Sequence, residues 1–158
     1  MGIDAGTVRL GVGVVEVERG RPPRFVAAEV ITAPARLSRT HRLIEIARDL
    51  REAFEEYRPA VLGVEQAFIG PRPAAGLALG EARGVVFAVA TVPPGSIFSI
   101  ESARWKHEIG LRGNAEKATV ISRIRSVFDL AEYPDEDAAD ALGVALALAS
   151  RADLVDVR

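Results

Sequence analysis

The sequence predicts a mixed α/β fold, a single sheet with helices packed on its faces. Three observations carry that expectation. Three strand-like runs follow one another at the start of the chain, and strand-like and helix-like runs alternate after them. The third is composition: 158 residues, 49% hydrophobic and 27% charged, suit one globular domain, taken as residues 1–158, with a genuine core.

The first strand is expected to end at Asp4 and is followed by an Ala5-Gly6-Thr7 turn; the second runs from Arg9 to Glu18. Arg19-Gly20-Arg21-Pro22-Pro23 reads as a loop, and Phe25 to Thr32 as a third strand. From Ser38 the period changes. Leu43, Ile46, Ala47, Leu50, Phe54 and Tyr57 recur at helical spacing, with Pro59 beyond the end. "AVLGVEQ" is a brief apolar strand ending on Glu65, and a Gly/Pro loop spans Gly70 to Pro73. A long helix of small residues is expected from about Ala74 to Val92, then a fifth strand, "SIFSI". Ser102 is the expected cap of a short helix, and Asn114 of another reaching about Leu130. "EDAADALGVALALAS" closes the pattern as an apolar helix.

The absence of cysteine excludes disulfides and cysteine-ligated metal sites. No signal peptide and no apolar run of membrane-spanning length are present, so the expectation is a cytoplasmic protein with no membrane partner. A net charge of −2 argues superficially against nucleic acid. The distribution is more informative than the total. From Arg104 to Arg125 six basic residues face only Glu108 and Glu116, whereas Asp129 to Asp140 is acidic throughout. A basic patch beside an acidic cluster suits an enzyme that holds a polyanion together with a divalent cation. Ordinary solvated helix faces would give a similar pattern.

Three carboxylates stand where a core prefers apolar groups. Asp4 follows Ile3, Glu65 ends "VLGVE", and Asp140 is followed by Ala141, Leu142, Val144 and Ala145. Asp137 shares the face of Asp140 one turn earlier. Each has a structural explanation: Asp4 can bond its own turn, and Asp137 can favour a helix N-terminus. Together they suggest a site, because clustered carboxylates raise one another's pKa unless a cation neutralises them. Hard oxygen ligands without histidine or cysteine select Mg2+ or Mn2+ over zinc.

Lys117 would lie in a first helical turn, where a cation opposes the dipole by about 0.3–1 kcal/mol unless a phosphate reverses the sign. Lys106 adds a second cation, and Trp105 beside it reads as a packing anchor. Phe68, just before the Gly/Pro loop, would either stack on an unpaired base or cap the core. His41 and His107 read as surface residues, and Glu101 as helix-start chemistry. Gly76, Gly80 and Gly84 fall on one helix face, and each costs about 1 kcal/mol against alanine. Such a face implies close approach of another backbone, either the chain's own sheet or a second subunit.

"GIDAGT", "GVEQAF", "LGEARGVV", "GNAEK" and "DAADALGVALA" occur in the order and spacing of bacterial RuvC, the Holliday-junction resolvase family, and the resemblance covers essentially the whole chain. It implies an RNase H-like fold, a five-stranded mixed sheet flanked by helices, and a homodimer. By the same resemblance Asp4, Glu65, Asp137 and Asp140 are catalytic, metal-binding acids, with two Mg2+ per site and Mn2+ as a substitute. Lys117 and Lys106 match lysines near the scissile phosphate, Phe68 matches an aromatic that contacts bases, and Arg104 and Arg112 extend the DNA-binding surface. Gly76, Gly80 and Gly84 are the expected dimer face. The implied partners are four-way junction DNA, a second copy of the chain and branch-migration proteins, in DNA recombination and repair.

Two departures stand out: Ala5 replaces the family's usual proline, and only three residues precede Asp4. The opening also resembles the phosphate loop of sugar kinases and actin-like ATPases, but their second domain and second glycine-rich loop are missing. A YqgF-like nuclease and a non-catalytic junction-binding module are the remaining alternatives. "VEQAF" and "DAADAL" favour RuvC over the former, and metal-dependent turnover would exclude the latter.

Overall fold

A computed structural model describes residues 1–66 and 73–150 of the chain. Five strands form one sheet: β1 (Gly2–Asp4), β2 (Arg9–Glu16), β3 (Arg24–Thr32), β4 (Leu62–Glu65) and β5 (Ile97–Ile100). Their spatial order is β3-β2-β1-β4-β5. β3, β2 and β1 are antiparallel neighbours, whereas β4 and β5 run parallel to β1, so the sheet is mixed as expected. The helices are α1 (Arg39–Tyr57), α2 (Pro73–Val89), α3 (Ser102–Glu108), α4 (Lys117–Phe128) and α5 (Glu136–Ala149).

Local chemistry explains most boundaries. Ser38 accepts a hydrogen bond from the His41 amide and so starts α1, and Arg58 ends it in the left-handed conformation, φ 42°. Pro93 and Pro94 put a 3-10 turn, Pro94–Ser96, before β5, so that strand begins one residue later than the sequence suggests. β2 stops at Glu16 rather than Glu18, after a register shift between Val14 and Val15. α2 ends at Val89 rather than Val92, ahead of the proline pair.

Two capping expectations are wrong. α3 and α4 are preceded by Glu101 and Glu116, neither of which makes a side-chain capping bond, so Ser102 and Asn114 are not caps. Asn114 instead lies in the connection, where the Ala115 amide bonds the Arg112 carbonyl and turns the chain before α4. Glu101 occupies the cap position without using its carboxylate.

The sheet separates two apolar clusters. On one face Ile3, Leu10, Val12 and Val64 pack with Ile46, Leu50 and Phe54 of α1 and Val86 of α2. Each such fully buried side chain contributes about 1.5–3 kcal/mol. The other face is lined by glycine. Because side chains alternate along a strand, Gly2, Gly11, Gly13 and Gly63 all turn toward α5. A Cβ at Gly2 or Gly13 would overlap the α5 backbone at Ala141, Ala145 or Leu142, and one at Gly11 would overlap the carbonyl of Asp137. The glycines therefore let a whole helix lie directly on the central strands. α5 is correspondingly buried from Ala138 through Leu148, apart from the half-buried Asp140. Trp105 covers its outer side with the indole against Gly143, the packing anchor the sequence suggested.

Candidate active site

The same alternation places the acids. In β1 Asp4 pairs with Gly11 across β2, and it faces the α5 side with Gly2. Gly2 and Ile3 pair with Gly63 and Val64 of β4, so the next step along both parallel strands sets Asp4 beside Glu65. Both carboxyls thus lie at the carboxyl ends of adjacent central strands. Gly11 brings the first turn of α5, with Asp137 and Asp140, down onto that edge.

Electrostatics record the convergence. Burial pushes the Asp4 carboxyl up to about 8, reinforced by the charges of Glu65, Asp140 and Asp137 and by hydrogen bonding to Glu65. Burial, followed by Glu65, raises Asp140 to about 6 against the opposing pull of Lys106 and Lys117. Both lysines are therefore close enough for their charge to act on Asp140. Among the described residues no ion pair reaches Asp4, Glu65 or Asp140. The opening turn is held independently of the carboxylate: Arg42 donates from Nε to the Thr7 carbonyl at 2.8 Å and from Nη1 to the Leu37 carbonyl at 2.7 Å.

Asp137 is placed differently. Arg9 donates from Nε to Asp137 Oδ2 at 2.5 Å and from Nη2 to Asp135 Oδ1 at 2.6 Å. Asp135 in turn caps α5 by accepting from the Asp137 amide at 3.1 Å. Among the described residues no three acidic or histidine side chains could hold a metal ion as they stand. The donor set nevertheless fits a hard divalent cation: three mutually repelling carboxyls form no ion pair among the described residues, and a fourth lies one helical turn away. The fourth is the one engaged by Arg9.

The remaining candidates divide. Lys117, the first residue of α4, ion-pairs with Glu136, the first residue of α5. Its cation is thus offset by a carboxylate rather than left facing the dipole alone. Lys106 rests its ammonium 5.4 Å from the Trp105 ring centroid. Arg104 and Arg112 are exposed on α3 and in the α3–α4 connection, away from the acids' hydrogen bonds. Phe68 lies outside the described residues. Gly80 and Gly84 are exposed, and a Cβ at either would meet nothing within 4 Å, so the chain's own sheet is not the neighbour of that face. His41 and His107 are exposed, as expected.

Two site residues escaped the sequence reading, Arg9 and Arg83. Arg83 of α2 donates to Ser99 Oγ at 2.9 Å, stacks 5.2 Å from the Phe87 centroid and feels the charge of Glu65. An arginine at the start of an otherwise apolar strand, and another in a helix of small residues, were the available signals.

A five-stranded mixed sheet that gathers carboxylates at the carboxyl ends of its central strands places the protein in the RNase H-like fold class. The fold agrees with the yeast mitochondrial Holliday junction resolvase, at TM-score 0.63 and 12% identity over 94% of this chain and 76% of that one. The Thermus thermophilus RuvC structure in complex with a Holliday junction substrate is closer, at TM-score 0.80 and 28% identity over 92% and 89% of the two chains. RuvC of Roseiflexus sp. is 35% identical over 147 residues, 92% of this chain and 87% of its own length. The family model for the crossover junction endodeoxyribonuclease RuvC matches residues 1–148, and the chain belongs to that family.

Proposed function

We propose that the chain resolves four-way DNA junctions as a divalent-cation-dependent endonuclease acting as a homodimer. Junction resolution is the activity of the family to which the chain belongs. The observation that supports the metal dependence is the convergence of Asp4, Glu65 and Asp140 on one sheet edge with no ion pair among the described residues, where burial first and then the neighbouring carboxylates push Asp4 up to about 8. Asp4, Glu65, Asp140 and Asp137 would hold Mg2+ or Mn2+, two per site. Bound there, such ions supply an activated water and stabilise the leaving oxygen of the phosphodiester. Lys117 and Lys106 offset charge on the scissile phosphate, and Arg104 and Arg112 contact the backbone of the arms. Phe68 meets the unpaired bases. No described helix is long and apolar enough to cross a membrane.

Cleavage of a labelled four-way junction against linear duplex of the same sequence tests this reading. Paired symmetric cuts that need Mg2+, vanish with chelator and spare the duplex are expected. Binding without cutting in Mg2+ and Mn2+ would leave a junction-binding module, and equal cutting of duplex would remove the junction specificity.

The homodimer rests on the open face of α2. Leu77, Phe87 and Ile44 of α1 are 61%, 40% and 60% exposed, beside the glycines at 80 and 84. Helices that pair through Gly76, Gly80 and Gly84 approach closely, and a long side chain there would hold them apart. Gly80→Gln is therefore expected to convert a dimer into a monomer in sedimentation velocity without loss of helical circular dichroism, because open space surrounds that position. A monomeric wild type, or a variant that stays dimeric, would remove this face from the interface.

A further inference from the structure

Arg9 and its two partners divide the acids into unequal groups. Asp4, Glu65 and Asp140 have no ion pair among the described residues, whereas Asp137 is held by a guanidinium that also grips Asp135. Arg9, the first residue of β2, lies far in sequence from both partners, which sit together at the N-cap and in the first turn of α5. Arg9 forks across the two carboxylates, one donor to each, and an arginine does not give up its charge at any working pH. Its side chain is 45% exposed and that of Asp137 24%, so the contact lies at the mouth of the site rather than in its core.

We propose that Arg9 is a positioning residue that keeps Asp137 out of the acid set in the DNA-free protein, so that a divalent cation must displace the guanidinium to recruit its fourth carboxylate. The inference rests on the reading of these acids as a metal site. A half-exposed ion pair is weak enough to be exchanged, and a freed guanidinium suits a phosphate oxygen of arriving DNA. Metal recruitment and DNA backbone contact would then draw on the same side chain.

The test is Mn2+ binding without DNA, read by thermal shift and by the free-ion electron paramagnetic resonance signal, for wild type, Arg9→Ala, Arg9→Lys and Arg24→Ala. Arg24, paired with Glu16 at the far end of β2, controls for a general change in charge. Arg9→Ala is expected to lower the half-saturating Mn2+ about three- to fivefold, the range set by releasing one half-exposed ion pair. Arg9→Lys should retain most of that gain, because a single ammonium cannot fork across Asp135 and Asp137, and Arg24→Ala should behave as wild type. Tighter binding in Arg9→Ala with wild-type binding in Arg9→Lys would reveal a plain charge effect and overturn the hold on Asp137. Unchanged or weaker binding in Arg9→Ala would overturn it too. A wild type that binds no Mn2+ would remove both this inference and the metal site beneath it.

Discussion

Asp4→Asn is expected to abolish junction cleavage and, in the absence of divalent ions at pH 8, to make the protein more stable. The first effect follows from losing a carboxylate at the centre of the acid set. An ion it helps to hold is worth several kcal/mol in the transition state, so cleavage should fall by about 10³-fold or more. The second follows from the cost of the same carboxylate. Asp4 and Asp140 titrate near 3.8 in the unfolded chain, but the folded protein holds them at about 8 and about 6. Between those limits the folded state binds more protons than the unfolded state, so stability declines as pH rises.

The decline begins above pH 4, continues through 6 as Asp140 ionises, and is complete above 8. A neutral asparagine removes the Asp4 share of it, on the order of 2 kcal/mol at pH 8, because the shift is divided among coupled carboxyls. Melting temperatures from pH 5 to 9 in chelator check this directly. Wild type should melt lower at each step upward and Asp4→Asn should give a flatter, higher curve, while saturating Mg2+ should flatten the wild-type curve as well. A wild-type melting temperature independent of pH would show that the folded protein does not hold Asp4 and Asp140 above their unfolded values.

Gly11→Ala is the second substitution with a large expected effect. Its Cβ would overlap the backbone carbonyl of Asp137, and a backbone obstacle cannot rotate away. Either β2 or the N-terminal turn of α5 must move. Such overpacking costs about 1–3 kcal/mol or more, and the segment displaced carries Asp137 and Asp140. Cleavage should therefore fall more than tenfold even at temperatures where circular dichroism shows the variant folded. Gly13→Ala separates positioning from stability. It meets the Leu142 amide at 2.5 Å and the Ala141 carbonyl carbon at 2.7 Å, one turn beyond the acids. It should lose similar stability with a smaller loss of cleavage. Equal cleavage losses at equal stability would mean that these glycines serve only packing.

Particular elements show how much was legible in the sequence. Alternating apolar runs located all five strands, and the helical spacing from Leu43 to Tyr57 located α1, because these periods are local properties of the chain. The same locality exposed the acids: a carboxylate within an apolar run is conspicuous wherever the partner strands lie. The caps were misread for the converse reason. Glu101 and Glu116 precede α3 and α4 without capping bonds, so tertiary packing, through Trp105 in α3 and Val120 and Ile124 in α4, supports those starts instead.

By itself the sequence determined the element order, the placement of Asp4 and Glu65 at strand ends and of Asp137 and Asp140 on one helix face, and the family those motifs belong to. Tertiary structure alone decided which face of the sheet is bare. Gly2, Gly11, Gly13 and Gly63 lie on three different strands, and only pairing register aligns them into a bed for α5. It also decided the partners of the charges, since Arg9 meets Asp135 and Asp137 across more than 120 residues, and Lys117 meets Glu136 across the junction of two helices. Periodicity is written along a chain and can be read from it. Register and helix docking bring together positions that no local pattern connects.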